Sequence, residues 1–250
     1  MDEACKKAVL GKVTLRLIPF LFLLYVVNIL DRVNVSFARL QMLDDLGMGE
    51  EVYALGFGLF YVGYLAFEVP SNLILRRTGA RRWIARIMVS WGLITCAMLF
   101  VRGPWTFCLL RVLLGFAEAG FFPGIILYLT WWFPARERAR AVALFMAASP
   151  LTGVLGNPLS GAILQYLDHA GGLRGWQWVF LLEGIPAVVL GLVVLTFLGG
   201  LLWCSAFRRT PNLLAVALSH AVLALIISST LPPQVVGGYR IGPAYRAATN

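Results

Sequence analysis

Charge is scarce in this chain. Of its 250 residues only 13% are Asp, Glu, Lys or Arg, against roughly 25% in an average soluble domain, and 60% are hydrophobic against roughly 45–50%. That deficit excludes a soluble enzyme domain, a disordered tail and a nucleic-acid module. Histidine is nearly missing. His169 and His220 are the two present, and neither stands at motif spacing from a Ser or Cys, so an intramembrane enzyme lacks its residues. Cysteine is sparse too: Cys5, Cys96, Cys108 and Cys204 are scattered, with no C-x-x-C pair and no Cys/His cluster. Neither a disulfide framework nor a metal site is expected, and no cofactor is implied. Long polar loops, low-complexity segments and repeats visible by identity are missing as well.

What the chain does have is long apolar runs. About 30 Å of hydrocarbon divided by 1.5 Å per residue asks for roughly 20 apolar residues per spanning helix. Six runs meet that length, approximately at 15–37, 52–75, 83–101, 105–131, 139–164 and 176–198. A seventh candidate, 213–231, lies between Pro211 and the pair Pro232-Pro233. The fold class expected is therefore an all-α membrane protein, a bundle of six transmembrane helices over residues 1–198. An atypical tail, 199–250, carries the candidate extra helix. The first span is expected to be retained, because its charged leader is sixteen residues long and no small-x-small cleavage site follows it.

The net charge of +9 would suggest nucleic acid in a soluble protein. Here the basic residues lie between the apolar runs and test the span count instead. Assigning alternate loops to opposite sides places thirteen on one side: Lys6, Lys7, Lys12, Arg16, Arg76, Arg77, Arg81, Arg82, Arg136, Arg138, Arg140, Arg208 and Arg209. The other side receives three, Arg39, Arg102 and Arg174. A wrong count would scramble this asymmetry. It orients the N-terminus to the cytoplasm of a multi-pass protein in the cell (inner or plasma) membrane.

Ionisable residues inside hydrocarbon are costly, by about 2.5–3.5 kcal/mol each on insertion scales, and mark function by default. Asp31 and Arg32 lie in the first span, Glu68 in the second, Arg111 and Glu118 in the fourth, and Glu183 in the sixth. Asn28, Asp31 and Arg32 stand at i, i+3 and i+4 and share a helix face. Arg111 and Glu118 are seven apart and share another. If the two stripes face each other, the bundle encloses two guanidiniums and two carboxyls. Two planar forks suit an organic anion, and two titratable acids suit proton movement. The alternative is a pair of structural ion pairs that only hold helices together, and the residues alone divide evenly between the two. Glu68 and Glu183 read as structural partners, because no substrate-facing base stands beside either. Gly120 and Gly124, with Gly153 and Gly156, read as close helix-packing positions. Asn34-Val35-Ser36 matches a glycosylation acceptor but abuts the membrane and is discounted.

Four stretches resemble a known family in order and at family spacing. Residues 16–39 (RLIPFLFLLYVVNILDRVNVSFAR) look like the first helix of the anion:cation symporter family within the major facilitator superfamily. Residues 67–88 (FEVPSNLILRRTGARRWIARIM) resemble its helix 2–3 junction, 109–145 its fourth and fifth helices, and 175–192 (GWQWVFLLEGIPAVVLGL) its sixth. The likeness covers about 12–198 and is nearest to permeases for tartrate, sugar acids and hydroxyaromatic acids. It implies proton-coupling roles for Asp31 and Glu118. It implies substrate-carboxylate binding for Arg32 and Arg111, and a cavity-facing place for Tyr64. Arg77, Gly79, Arg81 and Arg82 retain part of the superfamily loop signature, in which Asn72 and Arg76 replace its first Gly and its Asp. The loop would act as a conformational latch. Family members carry two six-helix halves with substrate between them, so this chain corresponds to the N-terminal half. The resemblance thus implies proton-coupled symport of a small organic anion by alternating access. A second copy or a separate C-terminal half would complete the pathway. The competing expectation is a truncated half that inserts without transporting, or acts only as a membrane interaction protein.

Overall fold

The computed structural model describes the backbone of residues 3–209 and the side chains of residues 10–195. Eight α-helices follow one another: α1 (Glu3–Leu46), α2 (Glu50–Thr78), α3 (Ala80–Ala97), α4 (Pro104–Glu118), α5 (Phe121–Trp132), α6 (Ala135–Met146), α7 (Ala148–Tyr166) and α8 (Gly175–Arg209). Short 3-10 turns at Met98–Phe100 and Ala170–Gly172 join some of them, and no strand occurs among the described residues. These helices supply six stretches long and apolar enough to cross a bilayer, the count expected from hydropathy. Helix is forced here, since hydrocarbon offers no partner for an open backbone N–H or C=O. The uncovered faces are apolar accordingly, with Leu55, Val62 and Val69 exposed at seven-residue intervals along α2.

Proximity divides the chain into two units, Met1–Leu198 and Gly199–Asn250. The second is described only to Arg209, so the candidate helix 213–231 lies outside the described residues.

Two spans differ from the continuous helices expected. The fourth is α4 followed by α5, broken at Ala119–Gly120, where Gly120 takes φ 84°. That left-handed conformation favours glycine, and a Cβ there would also collide with Ser71. The carbonyl of Ala119 accepts the Ser71 hydroxyl at 2.7 Å, and Ser71 in turn accepts Trp83 Nε1–H at 2.9 Å. The break is thus stitched to α2 and α3. Gly120 was expected to be a helix-packing glycine; it packs, but as the hinge of two helices. The fifth span is α6 followed by α7, which meet at Ala147 just before Pro150, a residue with no N–H for the ladder.

Packing between spans relies on glycines that hydropathy does not single out. Helices α2 and α4 pack extensively against each other. A Cβ on Gly63 would lie 2.6 Å from the Val112 carbonyl, and one on Gly115 would strike the Phe60 carbonyl. Backbones approach this closely only where no side chain intervenes. An apolar cluster of Val35, Met42, Met98, Phe107, Leu164, Trp176 and Phe180 fills the bundle where α1 ends and α8 begins. Asn34, fully buried, accepts the Ser160 hydroxyl at 2.7 Å, so it serves as a tie to α7.

Candidate functional site

A cavity of about 190 Å³ opens between α1, α2 and α5, lined by Tyr25, Asn28, Ile29, Arg32, Tyr64 and Phe122. Liquid water occupies roughly 30 Å³ per molecule, so the space suits a guest of a handful of heavy atoms. Asn28 and Arg32 are one helical turn apart on α1 and reach the same acceptor. Glu118 Oε1 accepts Asn28 Nδ2–H at 2.6 Å and Arg32 Nε–H at 2.5 Å. Glu118 is fully buried as the last residue of α4, and its Oε2 has no hydrogen-bond partner. Arg32 is different: its side chain is 32% exposed, and its guanidinium lies 4.9 Å from the Tyr64 ring centroid at the cavity. The helix break immediately after Glu118 lets α4 end at this point and present the carboxylate to α1.

The expected arrangement of two guanidiniums and two carboxyls around one space is corrected by the geometry. Asp31 neighbours Arg32 in sequence, but one residue is a rotation of about 100° on a helix. It turns toward α3, where Thr95 donates its hydroxyl to Oδ1 at 2.7 Å; its Oδ2 has no partner. Arg111 is 4% exposed and does not line the cavity. Its guanidinium lies 4.6 Å from the Phe60 ring centroid, and its Nε–H donates to the Gly56 carbonyl at a weak 3.4 Å. Arg32 also lies 5.7 Å from the centroid of the buried Phe60 ring, so both cations contact the same aromatic side chain. Sharing a helix face with Glu118 did not make Arg111 its partner; Arg32, 86 residues away, takes that place.

Arg77, Gly79, Arg81 and Arg82, the residues expected to form a latch, lie at a one-residue junction. Gly79, at φ 86°, closes α2 by donating its N–H to the Leu75 carbonyl at 2.9 Å, and α3 starts at the next residue. No ion pair involves Arg77, Arg81 or Arg82 among the described residues. Nor does any cluster of His, Cys, Asp and Glu there have metal-holding geometry.

A family profile, the Major Facilitator Superfamily, matches residues 21–245. The chain belongs to the major facilitator superfamily. A "Putative tartrate transporter" of Agrobacterium vitis is 57% identical over 198 residues, 79% of this chain and 46% of that protein. A "Putative metabolite transport protein NicT" of Pseudomonas putida is 56% identical over 191 residues, 76% of this chain and 43% of that protein. The chain therefore spans about half the length of the curated relatives it matches. A crystal structure of a bacterial homolog of the human lysosomal transporter Spinster, inward-facing and occupied, superposes with a TM-score of 0.62 at 20% identity. It covers 71% of this chain and 42% of that one. The fold is thus that of a major facilitator half, and the family is one of transporters. This member of the superfamily is a multi-pass membrane protein.

The sequence pointed to Arg32, Glu118, Asp31, Tyr64 and Arg111 by their charge or by resemblance. It missed Tyr25 and Phe122, which read as ordinary aromatics of apolar runs, and Thr95, whose hydroxyl means nothing until α3 is set beside α1. A second polar assembly at the α1 C-terminal end was missed as well. Arg174 donates Nε–H to Asp45 Oδ2 at 2.7 Å, with its Nη2 2.6 Å from Oδ1, a two-pronged pairing. Trp176 Nε1–H also reaches Asp45 at 2.8 Å, and Asp168 accepts the Gly175 N–H at 2.8 Å. The bond from Gly175, with His169 and Arg174 nearby, holds the Asp168 carboxyl below its ordinary pKa.

Proposed function

We propose that this bundle binds small organic anions, carboxylates such as tartrate or sugar acids, and forms half of a secondary transporter that carries them with protons by alternating access. The observation that carries the proposal is Arg32. It is the one cation at the cavity, it is partly open, and a single oxygen of Glu118 engages its Nε. A guanidinium has five N–H donors in a planar fork, so a guest carboxylate can take the remaining donors or displace Glu118. Tyr64 flanks the guest. Arg111, against Phe60 and outside the cavity lining, strengthens the positive potential. Protonation of Glu118 would free Arg32 for the anion, and Asp31 would join in the proton exchange. The loop of Arg77, Gly79, Arg81 and Arg82 would act as the latch. Relatives whose names cite tartrate and metabolite transport support the substrate class. The thirteen-to-three distribution of basic residues supports a cytoplasmic N-terminus in the cell membrane.

Alternating access rocks one half against the other, so transport requires a second copy or a C-terminal half. The test has two parts. Calorimetry with tartrate and a panel of hydroxy acids measures binding to the purified chain and to Arg32→Ala. Uptake into liposomes under an imposed pH gradient is then measured for the chain alone and joined to six further helices. Binding lost in Arg32→Ala, with uptake only in the twelve-helix protein, is the expected result. Equal affinity in wild type and Arg32→Ala rejects the anion site. Insertion without binding favours a membrane-embedded remnant or interaction protein.

A further inference from the structure

Ala119 stands between Glu118 and the left-handed Gly120, and its two polar backbone groups fare differently. Its N–H closes α4 on the Gly115 carbonyl at 3.0 Å. Its carbonyl leaves the ladder, because Ala119 takes φ −55° and ψ 133°. In an unbroken helix that carbonyl would accept the N–H four residues on, and the residue there is Pro123, which has none. Straightening the span would therefore not satisfy it. Hydrocarbon supplies no donor, so the group needs one from a neighbouring span. Ser71 on α2, fully buried, supplies it at 2.7 Å, and Trp83 on α3 donates Nε1–H to the same hydroxyl at 2.9 Å. A hydroxyl has a single proton to give. With Trp83 donating to its oxygen, Ser71 commits that proton to Ala119.

We infer that Ser71, oriented by Trp83, is a positioning residue for the Glu118–Arg32 pair. Ser71 touches neither partner. It acts through the peptide next to Glu118, which is pinned at one end by Gly115 and at the other by the Ser71 hydroxyl. That anchorage fixes where α4 ends and where its last side chain starts. Glu118 Oε1 then accepts Asn28 Nδ2–H at 2.6 Å and Arg32 Nε–H at 2.5 Å. Both bonds are short, and such bonds weaken steeply once distance or angle drifts. Gly120 belongs to the same device: a Cβ there would collide with Ser71, so its missing side chain admits the hydroxyl to the break. Removing the hydroxyl strands the Ala119 carbonyl in a dry interior. The break then reorganises toward another donor and carries the Glu118 carboxylate off its target. Arg32 thereby loses its partner with neither charged side chain altered. The bond geometry stands alone; its consequence for a bound anion rests on the transport reading above.

A double-mutant cycle reads the pairing without any ligand. With the purified chain in detergent, the Tm shifts of Arg32→Ala and Glu118→Gln should be strongly non-additive, because the two side chains are bonded. In a Ser71→Ala background the same two shifts should add. Ser71→Thr, which keeps the hydroxyl, should preserve the non-additivity, and Trp83→Phe, which keeps an aromatic ring but removes the N–H, should reduce it in part. A cycle as non-additive in Ser71→Ala as in wild type overturns the inference. Should Ser71→Ala fail to fold, an undiminished cycle in Trp83→Phe overturns it instead. Tartrate calorimetry on the same samples separates the two readings. The affinity gain from Glu118→Gln, about tenfold in an otherwise wild-type chain, should shrink to less than about twofold beside Ser71→Ala. Additive Tm shifts in Ser71→Ala, with no tartrate binding by any variant, support the positioning role and reject the anion cavity.

Discussion

Two arginine–carboxylate assemblies in this bundle use the same chemistry and end in opposite states. At the α1 C-terminal end, Arg174 grips Asp45 with both prongs, Trp176 adds a third bond, and all three charged side chains are partly open, at 38% for Arg174, 20% for Asp45 and 26% for Asp168. At the cavity, Glu118 is wholly buried, one of its oxygens is doubly engaged and the other is orphaned. The outer assembly is complete, and water shares its charge, so it braces the chain and is worth little per pair, about 0–1 kcal/mol. The inner one is incomplete, and its partners are poised to exchange. Satisfied polar groups hold a fold in place; unsatisfied buried ones are where a ligand or a proton has something to gain.

The largest expected contrast comes from truncating each arginine. Arg32→Ala strands Glu118 in the interior and should cost about 3 kcal/mol of stability. It should also weaken tartrate binding by about 100-fold, roughly 2.7 kcal/mol. Arg174→Ala should change affinity less than twofold by calorimetry. Equal losses of affinity in both variants would break the distinction. Next come the glycines beside each assembly. Gly120→Ala meets both a left-handed backbone at φ 84° and the Ser71 side chain. It should lower stability by about 3 kcal/mol and perturb the cavity. Gly47→Ala, at φ 58° with open space around it, should cost about 1 kcal/mol. Thermal unfolding in detergent ranks the two. Glu118→Gln keeps the hydrogen-bonding shape but removes the competing charge. A tenfold gain in tartrate affinity, about 1.4 kcal/mol, is expected, together with a flatter pH dependence of binding.

The smallest effect belongs to the outer brace. Asp168 is held below its ordinary value of 3.8, chiefly by the Gly175 N–H. A depressed carboxyl stabilises the folded state above the unfolded pKa and loses that contribution as pH falls through the folded one. Hydrogen exchange in residues 167–175 should therefore stay slow at neutral pH and rise only in acid, below about pH 3.8. Asp168→Asn should abolish that acid step while leaving tartrate affinity intact.

Much of the fold was legible because a bilayer imposes a length and a polarity on every crossing. Six apolar runs and a lopsided set of arginines suffice for the span count. Helix ends were less legible. Hydropathy stops at the first charged residues, as at 37 in the first span, whereas the backbone ladder of α1 continues to Leu46. The breaks in the fourth and fifth spans were hidden, since membrane helices tolerate isolated Gly and Pro. The site was half legible. Charge and resemblance named Arg32, Glu118 and Tyr64, and the structure brings these three together, their roles remaining proposals; Arg111 instead lies against Phe60, and Asp31 faces Thr95.

The sequence by itself determined that this is a six-span helical bundle with buried charges. Cost per residue in hydrocarbon is a local property that composition and order express directly. Only the tertiary structure decided which charge answers which. Partnership depends on helix rotation and on interhelical distances set by glycines such as Gly63, Gly92, Gly115 and Gly184, and a spacing of seven along one helix cannot report a contact made by residues 86 positions apart.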